Sequence, residues 1–186
     1  VDVCRAAREL TQIIIHSLAE VGLPVMAFPP SAGVIAKNKF LESWDVKPLK
    51  YALSRDLIPV VQGEVVYDTQ LGETIFSTEQ IFIYLAGILH PKRILLAGLD
   101  AGIYHQPQHP QDILPLITPH NIGEILPVLS GAKTVDVTGG MRAKVKLMLS
   151  IVKNIPSLEV QIFSGAEPGN IEQAISGKKF GTLITN

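Results

Sequence analysis

The order of segments along the chain predicts an α/β fold, a mostly parallel sheet with helices on both faces. Three observations carry that expectation. Strand-like and helix-like runs alternate. Runs such as "RILLAGL" and "LEVQIFSG" are apolar almost throughout instead of alternating, as strands buried on both faces are. Glycine-bearing segments, "QGEVVYD", "AGLDAGIY", "VTGGM" and "FSGAEPG", follow the strands, where such sheets bind ligands.

Taken in order, residues 3–20 read as a helix with Cys4, Ala7, Leu10, Ile14 and Leu18 on one face. "LPVMAF" reads as a buried strand. "PPSAGVIAKNKFLESWD" reads as loop, on its Pro, Ser and Gly punctuation, with Trp44 packing beneath it. A helix near "VKPLKYALSRD" leads into the strand-rich "LIPVVQGEVVYD". "STEQIFIYLAGIL" reads as a helix with Ser77 as N-cap, backed by Glu79 and Gln80. After the strand "RILLAGL" come a Gln- and Pro-rich loop and a short helix near "NIGEILPVLSG". "LEVQIFSG" and "GTLIT" close the chain as strands, with a helix near "NIEQAI" between them.

The segment "AKTVDVTGGMRAKVKLML" reads as a short β-rich run, a glycine turn and a helix. Met141, Val145, Met148, Leu149 and Val152 recur at helical spacing as a core stripe. At about 100° per residue, Lys144 sits roughly 60° to one side of Met141, while Arg142, Lys146 and Lys153 fall on the other flank. The free N–H groups at such a helix start, helped by the helix dipole, suit an anion such as phosphate. Thr138 offers a hydroxyl and Lys144 a mobile positive charge. The alternative is a glycine turn followed by a lysine whose stem lies along the core.

Composition bounds the rest. A length of 186 residues fits one domain, 1–186, with a substantial core. Hydrophobic residues at 47% and charged residues at 18% exclude a disordered chain. A net charge of −1 and a pI near 6.6 lack the basic footprint of a nucleic-acid binder. Cys4 is the only cysteine, so no intrachain disulfide forms and a cysteine-based metal site is not expected. A cytoplasmic setting is compatible with it. No apolar stretch reaches bilayer-spanning length, so no membrane partner is expected. The start, "VDVCRAARELTQ", is charged and helical, unlike a signal peptide. It lacks an initiator Met, which predicts that the chain begins inside a larger protein. His105 and His109 have metal-pair spacing, but Pro107 and Pro110 oppose a helix there, and no metal site is expected.

Taken together, five ordered segments from about Pro24 to Thr185 resemble the amino acid kinase superfamily, and within it isopentenyl phosphate kinases. They are "PVVQGEVVYD", "IFSTEQIFIYLA", "LLAGLDAGIY", "DVTGGMRAKV" and "FSGAEPGNIEQAISGKKFGTLI". The resemblance implies a three-layer αβα sandwich of the carbamate kinase-like type. Residues 1–90 would form its acceptor side and 91–186 its nucleotide side. It implies ATP and Mg2+, a small-molecule phosphate acceptor and a homodimer. Lys144 and Glu79 take catalytic roles in it. Asp100, Gly102, Tyr104, Thr138, Gly139, Gly140 and Lys144 hold the nucleotide, and Gly63 and Glu64 line the acceptor pocket.

Two departures qualify this. The family's opening Lys strand with a Gly-Gly-Ser turn, and its Gly-rich loop with a His, are absent, so the chain resembles an N-terminally incomplete member. Glu79 stands where the family has Asp, one methylene longer where positioning carries catalysis. Asp100 also stands one place from the usual pattern. The expected activity is ATP-dependent phosphorylation of an isopentenyl phosphate-like acceptor. Uridylate or amino-acid (glutamate or aspartate) kinase activity, and a silent nucleotide-binding regulatory or storage domain, remain the alternatives.

Overall fold

The computed structural model describes residues 2–105, 109, 112–129 and 140–186. The chain divides into two compact units, Val1–Ile81 and Phe82–Asn186, each of which mixes helices and strands.

The first unit opens with helix α1 (Asp2–Glu20) and strand β1 (Val25–Ala27). A one-turn 3-10 helix at Pro30–Ala32 precedes the hairpin of β2 (Val34–Lys37) and β3 (Phe40–Trp44). Helix α2 (Lys47–Leu53) and strands β4 (Ile58–Val60), β5 (Glu64–Asp68) and β6 (Gly72–Phe76) follow, and α3 (Thr78–Leu89) begins. β1 pairs parallel with β4, and a second sheet has the order β3-β2-β5-β6. Within the latter, β2 and β5 run parallel, while β2–β3 and β5–β6 are antiparallel. Val34, Ala36, Val66 and Phe76 are buried beneath it.

Residues 29–45, expected as loop, contain the β2–β3 hairpin. Its turn, Asn38–Lys39, has positive φ at both residues, 52° and 71°, the geometry of a tight two-residue connection that Asn favours. Asp68, at the end of β5, holds that turn: its carboxylate accepts the N–H groups of Asn38 (3.0 Å) and Lys39 (2.7 Å). It also accepts those of Gln70 (2.9 Å) and Leu71 (3.0 Å) in the following turn. Burial raises the pKa of this carboxyl, but the four donors outweigh it and bring it from 3.8 down to about 2.

Helix α1 forms as expected, and Cys4, Ala7 and Leu18 of its expected face are half-buried, but the inward side is rotated away from Leu10 and Ile14. Thr11 is the buried position, while Leu10 is 58% and Ile14 42% exposed. Polar contacts set the rotation. Thr11 Oγ1 donates to Ala7 O (2.9 Å) and meets Gln62 Oε1, and Arg8 Nε reaches Glu64 at 3.3 Å.

The second unit contains β7 (Arg93–Gly98), β8 (Leu116–Ile117), α4 (Ile122–Val128), α5 (Gly140–Asn154), β9 (Glu159–Ser164), α6 (Asn170–Ile175) and β10 (Thr182–Ile184). The sheet order is β7-β9-β10-β8, with β9–β10 antiparallel and the other two pairings parallel. Both sheets of more than two strands are therefore mixed within an α/β fold. The expected stripe on α5 faces the core: Val145, Met148, Leu149 and Val152 are buried among Ile94, Val160, Ile162 and Ile184, with Met141 at the margin. The β-rich run expected at 132–139 lies outside the described residues.

Candidate functional site

In the first unit the residues expected on the acceptor side, Gly63, Glu64 and Glu79, gather where β4 ends, β5 begins and α3 starts. The α3 N-terminus is built as the sequence predicts. Ser77 Oγ accepts the N–H of Gln80 (3.2 Å), and Gln80 Oε1 accepts the N–H of Ser77 (2.9 Å), a reciprocal cap that fixes the entry of the helix. Gly63 lies against that entry. A Cβ on it would stand 3.1 Å from Thr78 Oγ1 and 3.2 Å from Thr78 N, so the absence of a side chain lets the strand end approach the helix start. Glu79, half-buried in the first turn, is the acid there, where the helix dipole favours negative charge.

Glu64 is fully buried, its side chain 0% exposed. One carboxylate oxygen accepts the N–H of Ser31 (3.0 Å) and the other that of Arg8 Nε (3.3 Å). It thus ties α1 and the Pro30–Ala32 turn to β5. Both carboxylate oxygens of Glu64 are therefore engaged within the fold. A cavity of about 200 Å³ lies between these segments, lined by Arg8, Thr11, Ser31 and Gln62 among others. A larger pocket of about 870 Å³ runs along α1 and is lined by Arg5, Arg8, Glu9, Ile13, Val65 and Glu73 among others.

In the second unit the parallel pair β7–β9 ends at Gly98 and Ser164, which are partners in register, and Gly165 N–H donates to Gly98 O at 2.8 Å. The turn carrying Asp100, Gly102 and Tyr104 leaves the carboxyl end of β7, the usual ligand edge of such sheets. Asp100 is exposed and Gly102 buried. Tyr104 Oη accepts the N–H of Ala101 (3.2 Å), closing the turn on itself.

Gly140 opens α5 with φ +66°, and among the described residues a Cβ built on it meets no atom within 4 Å. Glycine is the residue that tolerates this conformation. Lys144 follows one turn later, half-buried. Thr138 and Gly139, the rest of the expected anion turn, lie outside the described residues.

Sequence reading missed three residues that hold these segments. Arg8 was masked by the apolar stripe assigned to α1, and Asp68 by its place at a strand end. Thr182, wholly buried, accepts the N–H of Ile103 at 2.8 Å; a threonine within a strand gives no local sign of such a bond. Among the described residues, no helix is long and apolar enough to cross a membrane.

Comparison with known proteins places the chain in a family and a fold. A model of the amino acid kinase family matches residues 4–164. An isopentenyl phosphate kinase of Methanocaldococcus jannaschii is 34% identical over 185 residues, covering 98% of this chain and 66% of that protein. One from Methanothermobacter thermautotrophicus is 30% identical, covering 96% and 67%. The counterpart in Arabidopsis thaliana is 27% identical, covering 92% and 58%. The chain thus spans about two thirds or less of the length of these relatives. A solved isopentenyl phosphate kinase superposes with a TM-score of 0.77 at 26% identity, covering 96% of this chain and 66% of that one.

Proposed function

The chain belongs to the amino acid kinase family, and from that premise we propose that the whole protein is an ATP-dependent kinase. It transfers the γ-phosphoryl group to a small phosphorylated acceptor of the isopentenyl phosphate type. The observation that carries this reading is the head of α5. A glycine with φ +66°, on which a Cβ would meet no atom of the described residues within 4 Å, starts a 15-residue helix, with Lys144 one turn in. The names of the relatives support the acceptor.

In this reaction an oxygen of the acceptor phosphate bonds to the γ-phosphorus as the bond from that phosphorus to ADP breaks. A phosphate monoester has its second pKa near 6, so the nucleophile is already ionised at neutral pH. What the protein must supply is alignment and positive charge where negative charge spreads in the transition state. Lys144 and the N–H groups at Gly139–Gly140, with the Thr138 hydroxyl, take the donor phosphates. The Asp100–Tyr104 turn shapes the nucleotide side. Gly63, Glu64 and Glu79 belong to the acceptor side, where Glu79 orients cations around the transferred group. Residues 1–90 and 91–186 divide accordingly into acceptor and nucleotide sides. Magnesium would travel with ATP, held by phosphates and water; among the described residues no group of three or more His, Cys, Asp or Glu side chains is poised to hold it. A cytoplasmic homodimer completes the proposal.

The test is Lys144→Ala in the full protein, assayed with ATP, magnesium and a panel including isopentenyl phosphate and UMP. Its kcat should fall about 10²-fold, the usual effect of removing one preorganised electrostatic donor. Lys144→Arg should restore only part of the rate, since a planar fork does not replace a compact ammonium. A wild-type rate in Lys144→Ala would remove the assignment. Nucleotide binding with no turnover of any acceptor would favour a silent domain.

A further inference from the structure

We propose that Thr182 is a positioning residue for the nucleotide side. It sets the Asp100–Tyr104 turn through the backbone N–H of Ile103. The inference rests on the kinase reading for its functional consequence, but its geometry stands alone.

The turn leaves β7 at an exposed edge, with Leu99 at 88% exposure and Asp100 and Ala101 also in solvent. Two residues later it is buried: Ile103 is 1% exposed. What draws it inward is β10, at the far end of the sequence. Thr182 Oγ1 accepts the Ile103 N–H at 2.8 Å, and Ile103 O accepts the N–H of Leu114 at 2.7 Å. Both main-chain polar groups of Ile103 therefore have fixed partners, as burial demands.

Steric fit narrows the position further. A Cβ on Gly102 would lie 2.7 Å from Ile113 Cγ2 and 2.8 Å from Thr182 Oγ1. One on Gly181, whose φ is +71°, would lie 2.2 Å from Ile162 O and 2.8 Å from Ala101 O. Two glycines from opposite ends of the unit thus let the turn backbone lie directly on β10. β10 is itself pinned between β9 and β8, so the turn takes its position from a rigid sheet. Asp100, which the turn presents to the ligand, inherits that position.

Because a buried donor left without an acceptor is unfavourable, replacing the Thr182 hydroxyl with a methyl of similar size should shift the turn. Thr182→Val does this and Thr182→Ser keeps the oxygen. In the full protein, Thr182→Val should raise KM for ATP about tenfold, the scale of one unsatisfied buried donor, with acceptor KM unchanged. Amide exchange at Ile103 should accelerate. Thr182→Ser, although it loses a buried methyl and some stability, should keep the wild-type ATP KM and Ile103 protection. This separates positioning from stability.

Unchanged Ile103 exchange in Thr182→Val would overturn the proposal, as would an equal rise in both KM values. A raised ATP KM in Thr182→Ser would do the same, and that variant alone decides the matter if Thr182→Val does not fold. If the wild-type protein turns over no acceptor, the kinase reading fails by itself, and Ile103 exchange still tests the role of Thr182.

Discussion

Glu64→Ala should destabilise the first unit, and its magnitude can be worked from two contacts. The side chain is 0% exposed, and one oxygen accepts the Ser31 N–H at 3.0 Å. A hydrogen bond to a charged group contributes about 1.5–3 kcal/mol. The other oxygen meets Arg8, whose side chain is 64% exposed at 3.3 Å, so solvent screening limits that pair to about 0–1 kcal/mol. Together these give about 2–4 kcal/mol for Glu64→Ala. Arg8→Ala should lose only about 1 kcal/mol, because water entering the adjoining cavity can replace the guanidinium. Urea unfolding followed by tryptophan fluorescence reports on this unit, since Trp44 is the only tryptophan and its ring lies beside Gly33. With m near 1–3 kcal/mol per molar urea, the Glu64→Ala midpoint should fall by about 1 M or more. A shift equivalent to less than about 0.5 kcal/mol, the scatter of ordinary surface changes, would refute the reasoning. So would Arg8→Ala exceeding Glu64→Ala.

Asp68 makes stability depend on acid pH. Its folded pKa, about 2, lies below the ordinary 3.8, so its contribution is present in full above that value and declines as pH falls through it towards 2. Asp68→Asn should flatten the fall in denaturation midpoint expected of the wild type between pH 4 and pH 2, and an unchanged profile would count against the four-donor clamp. Gly181→Ala should prevent soluble folding, because its Cβ would stand 2.2 Å from Ile162 O at φ +71°. A melting temperature within a few degrees of wild type would show that β10 does not hold the turn as described.

Some of this molecule is decided by neighbours in sequence, and those parts were legible. The Ser77–Gln80 cap spans one helical turn, and the α5 stripe depends only on 3.6-residue periodicity. The expectation of an anion turn at Gly139–Gly140 rests on glycines and a lysine within six residues, and Gly139 lies outside the described residues. The β2–β3 hairpin was missed even though Asn38 is a favoured turn residue, because Pro, Ser and Gly upstream outweighed a short alternating pattern. Nor could periodicity fix the exact rotation of α1, which half-buries Cys4, Ala7 and Leu18 of the expected stripe but turns Leu10 and Ile14 outward. Thr11 with Gln62 and Arg8 with Glu64 decide it, across more than fifty residues of chain. Asp68 gathering the β2–β3 turn, and Thr182 gathering a turn 79 residues earlier, are of the same kind. Helical periods and caps are set by atoms within a turn of one another, so sequence specifies them. A buried carboxylate or hydroxyl finds its partner only when the packed sheet brings distant backbone N–H groups to it, and that is a property of the tertiary structure.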